Sequence, residues 1–175
     1  MTDSTSEPLP ALHGVGRYPM VIVSHSEAET RHLGLQLARV LPPGITVALD
    51  GPLGSGKTNL VRAVCIALGV AENQVNSPTF VLMQSYPDGR IPVFHFDTYR
   101  LSDLDEFLAI GAEEFLNDKQ AICFVEWAER VSEALPADRL SIRMEQISAD
   151  ARRLILTSGG PVSESVCRAI CAATK

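Results

Sequence analysis

The chain has 175 residues, 46% of them apolar, enough to fill one core and too few for two full-sized domains. Fifteen Lys and Arg against twenty-one Asp and Glu leave a formal net charge of −6, which argues against a protein that grips a nucleic-acid backbone non-specifically, since that takes a basic surface. Four cysteines, Cys65, Cys123, Cys167 and Cys171, form no C-x-x-C pair and have no histidine at metal-ligand spacing, so they read as buried or idle thiols of a reducing compartment. Residues 1–17 are rich in Ser, Pro, Gly and acid, with no basic start followed by an apolar run, and fit neither a signal nor a transit peptide. They are expected to form a disordered leader before one domain over residues 18–175. Apolar runs such as residues 122–125 fall far short of the ~20 residues a bilayer span needs, so a soluble, cytoplasmic chain is expected.

Met20-Val21-Ile22-Val23 is a short apolar run of strand type, followed by Ser26 and Glu29 at capping-box spacing. Leu33, Leu37, Val40 and Leu41 then recur at helical intervals until Pro42-Pro43-Gly44 stops the helix. The β-branched run Ile45-Thr46-Val47-Ala48-Leu49 predicts the next strand. After a Gly-rich turn, a helix from Lys57 places Leu60, Val61, Val64 and Leu68 on one face and ends at Gly69. Residues 80–86 and 91–96, joined by Pro87-Asp88-Gly89-Arg90, predict an antiparallel hairpin. Residues 101–115 predict one or two short acidic helices broken near Gly111, and residues 121–125, the most apolar run, a central strand. A helix is expected over residues 127–135, closing strands over 140–144 and 154–157, and a final helix over 163–172. The alternation of strands and helices indicates an α/β sandwich whose sheet is mixed because of the hairpin.

Gly51-Pro52-Leu53-Gly54-Ser55-Gly56-Lys57-Thr58 matches G-x-x-x-x-G-K-[ST] at every fixed position and lies between a predicted strand and a predicted helix. The glycines let successive backbone N–H groups turn inward around phosphates, and the helix that starts there directs its positive end at the same charge. Lys57 is placed to reach the β- and γ-phosphates, and the Thr58 hydroxyl to ligate Mg²⁺. Such a loop needs an acid for the metal shell or the attacking water, usually at the end of a buried strand. Glu126 and Asp97 both qualify, and spacing does not divide their roles: both can bind Mg²⁺ through water, or one can orient the water that attacks the γ-phosphate. The link Asn76-Ser77-Pro78-Thr79-Phe80 lies where a hydroxyl can sense the γ-phosphate, or is a plain connection shaped by Pro78. Trp127, beside Glu126, covers either a nucleotide or a partner, or else belongs to the core.

Four pieces thus occur in order: the 51–58 loop, Ser77-Pro78-Thr79-Phe80, His95-Phe96-Asp97-Thr98-Tyr99-Arg100-Leu101, and Glu126-Trp127. Together they resemble the TsaE (YjeE) family, the small P-loop ATPase of bacterial tRNA threonylcarbamoyladenosine biosynthesis, over roughly residues 21–156. The resemblance implies a P-loop NTPase-type three-layer sandwich with a mixed central sheet including an antiparallel hairpin. It implies ATP and Mg²⁺ at Gly51, Pro52, Leu53, Gly54, Ser55, Gly56, Lys57, Thr58 and Asn59, with Thr58, Asp97 and Glu126 around the metal and Lys57, Asp97 and Glu126 serving hydrolysis. It further implies a switch-like loop containing Thr79, Trp127 close to the nucleotide, and the segment of Glu29, Thr30 and Leu33 near the adenine. The implied activity is an ATPase, weak alone, that supports repeated turnover of a partner threonylcarbamoyltransferase subunit and that enzyme's paralogous partner, with tRNA held indirectly through them and no membrane involved.

Three positions depart from the family pattern: Pro52 where an acid is common, Asn59 where a second Thr is common, and Ala128 where Pro is common. None removes a phosphate or metal ligand, although Pro52 stiffens the loop and deletes one N–H. The basic pair Arg152 and Arg153 lies where the family can place a basic residue near ATP, and the sequence does not separate the two. A small P-loop kinase is a rival reading, but residues 101–120 are acidic and contain no Arg for a lid. No Asn-Lys-x-Asp motif supports a GTPase. A non-hydrolysing, ATP-dependent assembly switch is the remaining alternative.

Overall fold

The strands that are apolar on both faces lie at the middle of the sheet, and the chain's alternating strands lie toward one edge. The computed structural model describes residues 19–75, 78 and 81–173. Within them the order is β1 (Met20–Ser24), α1 (Glu27–Val40), β2 (Thr46–Asp50), α2 (Lys57–Ala67), β3 (Met83–Tyr86), β4 (Val93–Asp97), α3 (Leu104–Ala109), α4 (Ala112–Leu116), β5 (Ile122–Glu126), β6 (Arg139–Gln146), β7 (Arg152–Ser158) and α5 (Pro161–Ala173). The strands form one sheet in the order β1-β7-β6-β2-β5-β4-β3. β6, β2, β5 and β4 are mutually parallel, β3 and β7 flank them antiparallel, and the edge strand β1 pairs antiparallel with β7 and so runs with the central four. Buried parallel strands need apolar residues on both faces, and β5 (Ile-Cys-Phe-Val-Glu) is buried throughout.

Two cores sandwich the sheet, because successive strand residues point to opposite sides. Val47, Leu49 and Phe124 pack with Leu37 of α1, Leu60 and Val64 of α2, and Val166 of α5. Ala48, Cys123 and Val125 pack on the other side with Phe107 of α3 and Leu116 of α4. Phe96 and Phe107 meet edge to face at 5.4 Å, as do Phe94 and Phe115 at 4.8 Å, fastening the two short helices to β4. Truncating Phe124 to Ala, fully buried in the first core, costs about 3–5 kcal/mol. The architecture is the three-layer α/β sandwich with a mixed sheet.

Local chemistry sets the helix that flanks the loop. The Ser26 hydroxyl caps α1 by accepting from the Glu29 N–H at 3.1 Å, and Glu29 Oε2 accepts from the His25 N–H, one residue before the cap. Gly34 lets α1 lie directly on α2, since a Cβ there would run into that of Ala63. This close approach brings Thr30 beside the 51–58 loop.

Two expectations fail. Residues 127–135 do not form an α-helix; only a 3-10 turn at Ala128–Val131 is present. Trp127 takes a left-handed backbone, φ 58°, and the Arg130 and Ala134 N–H groups bond three residues back, to Trp127 O at 3.1 Å and Val131 O at 3.0 Å, so the chain winds in tight 3-10 fashion and does not enter an α-helix. The first hairpin strand is expected from residue 80, which lies outside the described residues; residues 81 and 82 are not strand and β3 starts at Met83, because Leu82 takes a left-handed backbone, φ 64°, and its N–H bonds to Pro78 O. Burial pushes the Cys65 thiol up to about 12 and raises that of Cys123 as well, which leaves both unreactive, while Cys171 is exposed.

Candidate functional site

β2 carries the chain to Asp50, and the loop then doubles back into α2 beginning at Lys57. Gly51 has φ 138°, and any Cβ there would strike the Met144 carbonyl oxygen of β6, so only glycine lets the loop pass this close to the sheet. Ser26 caps α1 and Asp103 caps α3, but no side chain caps α2. Its first N–H groups are left without a side-chain acceptor, the arrangement that receives an anion.

Lys57 is 4% exposed. Its Nζ donates to Gly51 O at 2.7 Å and Pro52 O at 3.1 Å, bracing the loop from inside, and lies 4.0 Å from the centroid of the Trp127 ring. Burial pushes the ammonium below its ordinary range, against the pull of the Glu126, Asp97 and Asp50 carboxylates. A phosphate would relieve that desolvation with full opposite charge.

Asp97 and Glu126 end neighbouring strands and face each other in register across β4 and β5, each only 3% exposed. Glu126 is also level with Leu49 of β2, one strand nearer the loop. Its Oε1 accepts the Thr58 hydroxyl at 2.7 Å and lies 2.8 Å from His95 Nε2. Asp97 Oδ1 accepts the Tyr99 N–H at 3.0 Å. The turn after Glu126 is tightly held: the Thr98 hydroxyl lies 3.0 Å from Glu126 O and 2.8 Å from Trp127 O, and Trp127 keeps a left-handed backbone of φ 58°. Trp127 is half-buried and lies 5.0 Å from the exposed Tyr99 ring, so it walls the site rather than filling the core.

A cleft of about 290 Å³ results, lined by Lys57, Thr58, Asp97, Tyr99, Glu126 and Trp127. Among the described residues no three His, Cys, Asp or Glu side chains form a cage for a metal. The donor set is instead one hydroxyl and two adjacent buried carboxylates, with a single ammonium beside them. That set suits Mg²⁺, which keeps several waters and takes its other ligands from substrate phosphates.

On the other side of the loop lies a second cleft of about 310 Å³, where Thr30, Gly54, Gly56, Asn59, Arg62 and Arg152 meet. The Thr30 hydroxyl is already engaged with Ser24 Oγ at 2.8 Å. Arg152 Nε donates to Ser55 O at 3.2 Å, tying the loop to the β6–β7 turn, whereas Arg153 Nη1 donates to Glu145 Oε2 at 3.2 Å, away from both clefts. The structure thus separates the pair that sequence left joined.

Pro52 and Leu53 are exposed on the loop, and the Ser55 hydroxyl is buried with no partner among the described residues. Asn59 borders both clefts. Thr79, with residues 76, 77 and 80, lies outside the described residues; Pro78 alone of that link is described, and it is buried. Sequence reasoning passed over His95, Tyr99 and Asp50 as site residues. Burial raises the Asp50 carboxyl from its ordinary value, against the Glu129 N–H that it accepts. His95 carried one signal, a polar residue at an inward position of an apolar strand.

A strand-loop-helix phosphate cradle whose threonine bonds to a carboxylate at the end of the adjacent parallel strand defines the P-loop class, whose members bind nucleoside phosphates. Residues 24–155 match the family described as "Threonylcarbamoyl adenosine biosynthesis protein TsaE". The chain is 37% identical over 139 residues to the tRNA threonylcarbamoyladenosine biosynthesis protein TsaE of Bacillus subtilis, covering 79% of this chain and 85% of that one. It is 38% identical over 136 residues to the Treponema pallidum protein of the same name, covering 78% and 98%. A crystal structure of Bacillus subtilis YdiB superposes with a TM-score of 0.72 at 28% identity, over 90% of this chain and 97% of that one. The chain belongs to the TsaE family. Among the described residues no helix is long and apolar enough to cross a membrane.

Proposed function

We propose that this protein binds and hydrolyses ATP as a subunit of the machinery that makes tRNA N6-threonylcarbamoyladenosine, the pathway in the names of its relatives. The observation that carries the ATP site is the 2.7 Å bond from Thr58 of the loop to Glu126 of β5, which joins the phosphate cradle to the acid at the strand end. Gly51, Gly54, Ser55, Gly56 and the first N–H groups of α2 wrap the phosphates, and Lys57 leaves the Gly51 and Pro52 carbonyls to meet the β- and γ-phosphates. Thr58, Glu126 and Asp97 hold Mg²⁺, which would supply charge neutralisation at the phosphates. The same two carboxylates, side by side at the strand ends, are also placed to orient the attacking water. Trp127 covers the phosphate end, and the cleft holding Thr30, Asn59 and Arg152 takes the nucleoside. The 76–80 link, with Thr79, follows the state of the γ-phosphate.

In this reading the residues from 18 to 175 act as one cytoplasmic ATPase domain, slow by itself. Its partners are a threonylcarbamoyltransferase subunit and that subunit's paralogue. A net charge of −6 accords with tRNA being held by those partners. The test is mass spectrometry of tRNA nucleosides from bacterial cells depleted of their own copy and supplied with wild type or Lys57→Ala. Restoration of threonylcarbamoyladenosine by wild type alone supports the reading. Restoration by both replaces it with a scaffold that needs no nucleotide, and restoration by neither, even with cognate partners supplied, removes the pathway assignment.

A further inference from the structure

His95 is fully buried in the middle of β4, on the side that packs beneath α2. Its Nε2 lies 2.8 Å from Glu126 Oε1, the same oxygen that accepts the Thr58 hydroxyl at 2.7 Å, and its Nδ1 is buried with no partner among the described residues. An ionised carboxylate can only accept, so Nε2 carries the hydrogen and the contact selects the tautomer. An apolar side chain would fill this space without leaving a ring nitrogen unpaired in the core, which is costly. What the imidazole contributes is the bond from Nε2.

We propose that His95 is the positioning residue for Glu126: it holds the carboxylate turned toward Thr58, so that the hydroxyl and acid that receive Mg²⁺ are set before nucleotide arrives. Thr58 has one hydrogen and two lone pairs. With the hydrogen committed to Oε1, the lone pairs remain for a cation in the cleft. Two donors on Oε1 also leave Oε2 as the carboxylate oxygen without a protein partner among the described residues. Without His95, one hydroxyl alone restrains the acid, and the carboxylate swings freely about its terminal torsion.

This inference rests on the ATP-site reading above, and the test separates the two. Trp127 is the chain's single tryptophan and walls the same cleft, so its fluorescence reports nucleotide binding without turnover. ATP is titrated with and without Mg²⁺ into the full chain as wild type, His95→Leu, His95→Gln and His95→Asn, alongside each Tm. His95→Leu is expected to keep its Tm while losing Mg²⁺-dependent affinity by about tenfold or more, the usual effect of removing a partner of a metal ligand. His95→Gln, whose amide nitrogen reaches the place of Nε2, recovers most of it; His95→Asn, one methylene shorter, does not. Unchanged Mg²⁺ dependence in a folded His95→Leu overturns the proposal, as does a folded His95→Gln that is no better than Leu. If Leu fails to fold, equal Mg²⁺ responses from Gln and Asn overturn it. A wild type with no Mg²⁺-dependent nucleotide response instead overturns the ATP-site reading, and the role of His95 with it.

Discussion

The two clefts that flank the loop are built by opposite means. In the first, Lys57, Asp97 and Glu126 are almost fully buried, Lys57 and Asp97 bonded to backbone and Glu126 to Thr58 and His95, and the two acids are placed by the register of adjacent parallel strands. In the second, Arg31, Arg62, Glu72 and Asp150 stand exposed on helix faces and turns, with charges of both signs. A strand end cannot shift without breaking its ladder, whereas an exposed side chain can change rotamer at little cost. The first construction suits chemistry, which tolerates little misplacement, and the second suits recognition, which can adjust.

The largest effects should come from breaking the first cleft. Lys57→Ala is expected to lower ATP turnover by about 10²–10³-fold, as removal of a preorganised charge stabiliser does, while Tm holds. Wild-type turnover in that variant would remove Lys57 from the site. Glu126→Ala and Asp97→Ala should each lower turnover at least about tenfold, equivalent to about 1.4 kcal/mol. Glu126→Ala should also reduce stability by about 1–3 kcal/mol, because it strands the Thr58 hydroxyl and the His95 N–H, and thermal melts can show whether it does.

The second cleft should respond more mildly. Arg152→Ala is expected to raise KM for ATP several-fold with kcat unchanged, the signature of lost uniform binding, while Arg153→Ala leaves both as they are. Equal effects from the two would erase the distinction drawn from their positions.

Away from both clefts, Asp138 accepts the Val162 and Ser163 N–H groups and the Ser163 hydroxyl at the start of α5. Asp138→Ala should cost about 1 kcal/mol of stability and none of the turnover. Burial, the largest single influence, raises this carboxyl, but the three bonds together outweigh it and hold the group below its ordinary value of 3.8. Its contribution is therefore complete above 3.8 and fades as pH falls through the folded value, so the difference in Tm between wild type and Asp138→Ala should shrink in acid. Lys57 has the reverse sense. Its folded pKa lies below 10.5, so its burial penalty is present at neutral pH and fades as pH rises toward 10.5. Wild type should therefore gain stability relative to Lys57→Met over that alkaline range.

The first cleft was largely legible in sequence because its parts are local. The glycine loop fixes its own geometry, and Glu126 follows an unbroken apolar run that must end at the sheet's edge. What escaped depends on partners distant in sequence. The bond between His95 and Glu126 spans 31 positions and exists only once β4 and β5 pair in one register. Arg152 and Arg153 are equivalent in composition, and only strand alternation sends one to the loop and the other to Glu145. The failed helix over residues 127–135 has the same origin: its helical pattern is real, but Thr98, 29 positions away, holds the Trp127 carbonyl, and Trp127 takes a left-handed backbone that an α-helix does not continue.

The most direct test of the central claim, that one loop and one strand-end acid make a single Mg²⁺-nucleotide site, is a crystal structure of the full chain with Mg²⁺ and a non-hydrolysable ATP analogue. A single site requires Lys57 Nζ released from the Gly51 and Pro52 carbonyls onto the phosphates, the metal on Thr58 Oγ1 beside Glu126 and Asp97, and the base in the cleft of Thr30 and Arg152. An analogue seated away from the loop, or bound there while Lys57 keeps both carbonyls, would contradict it.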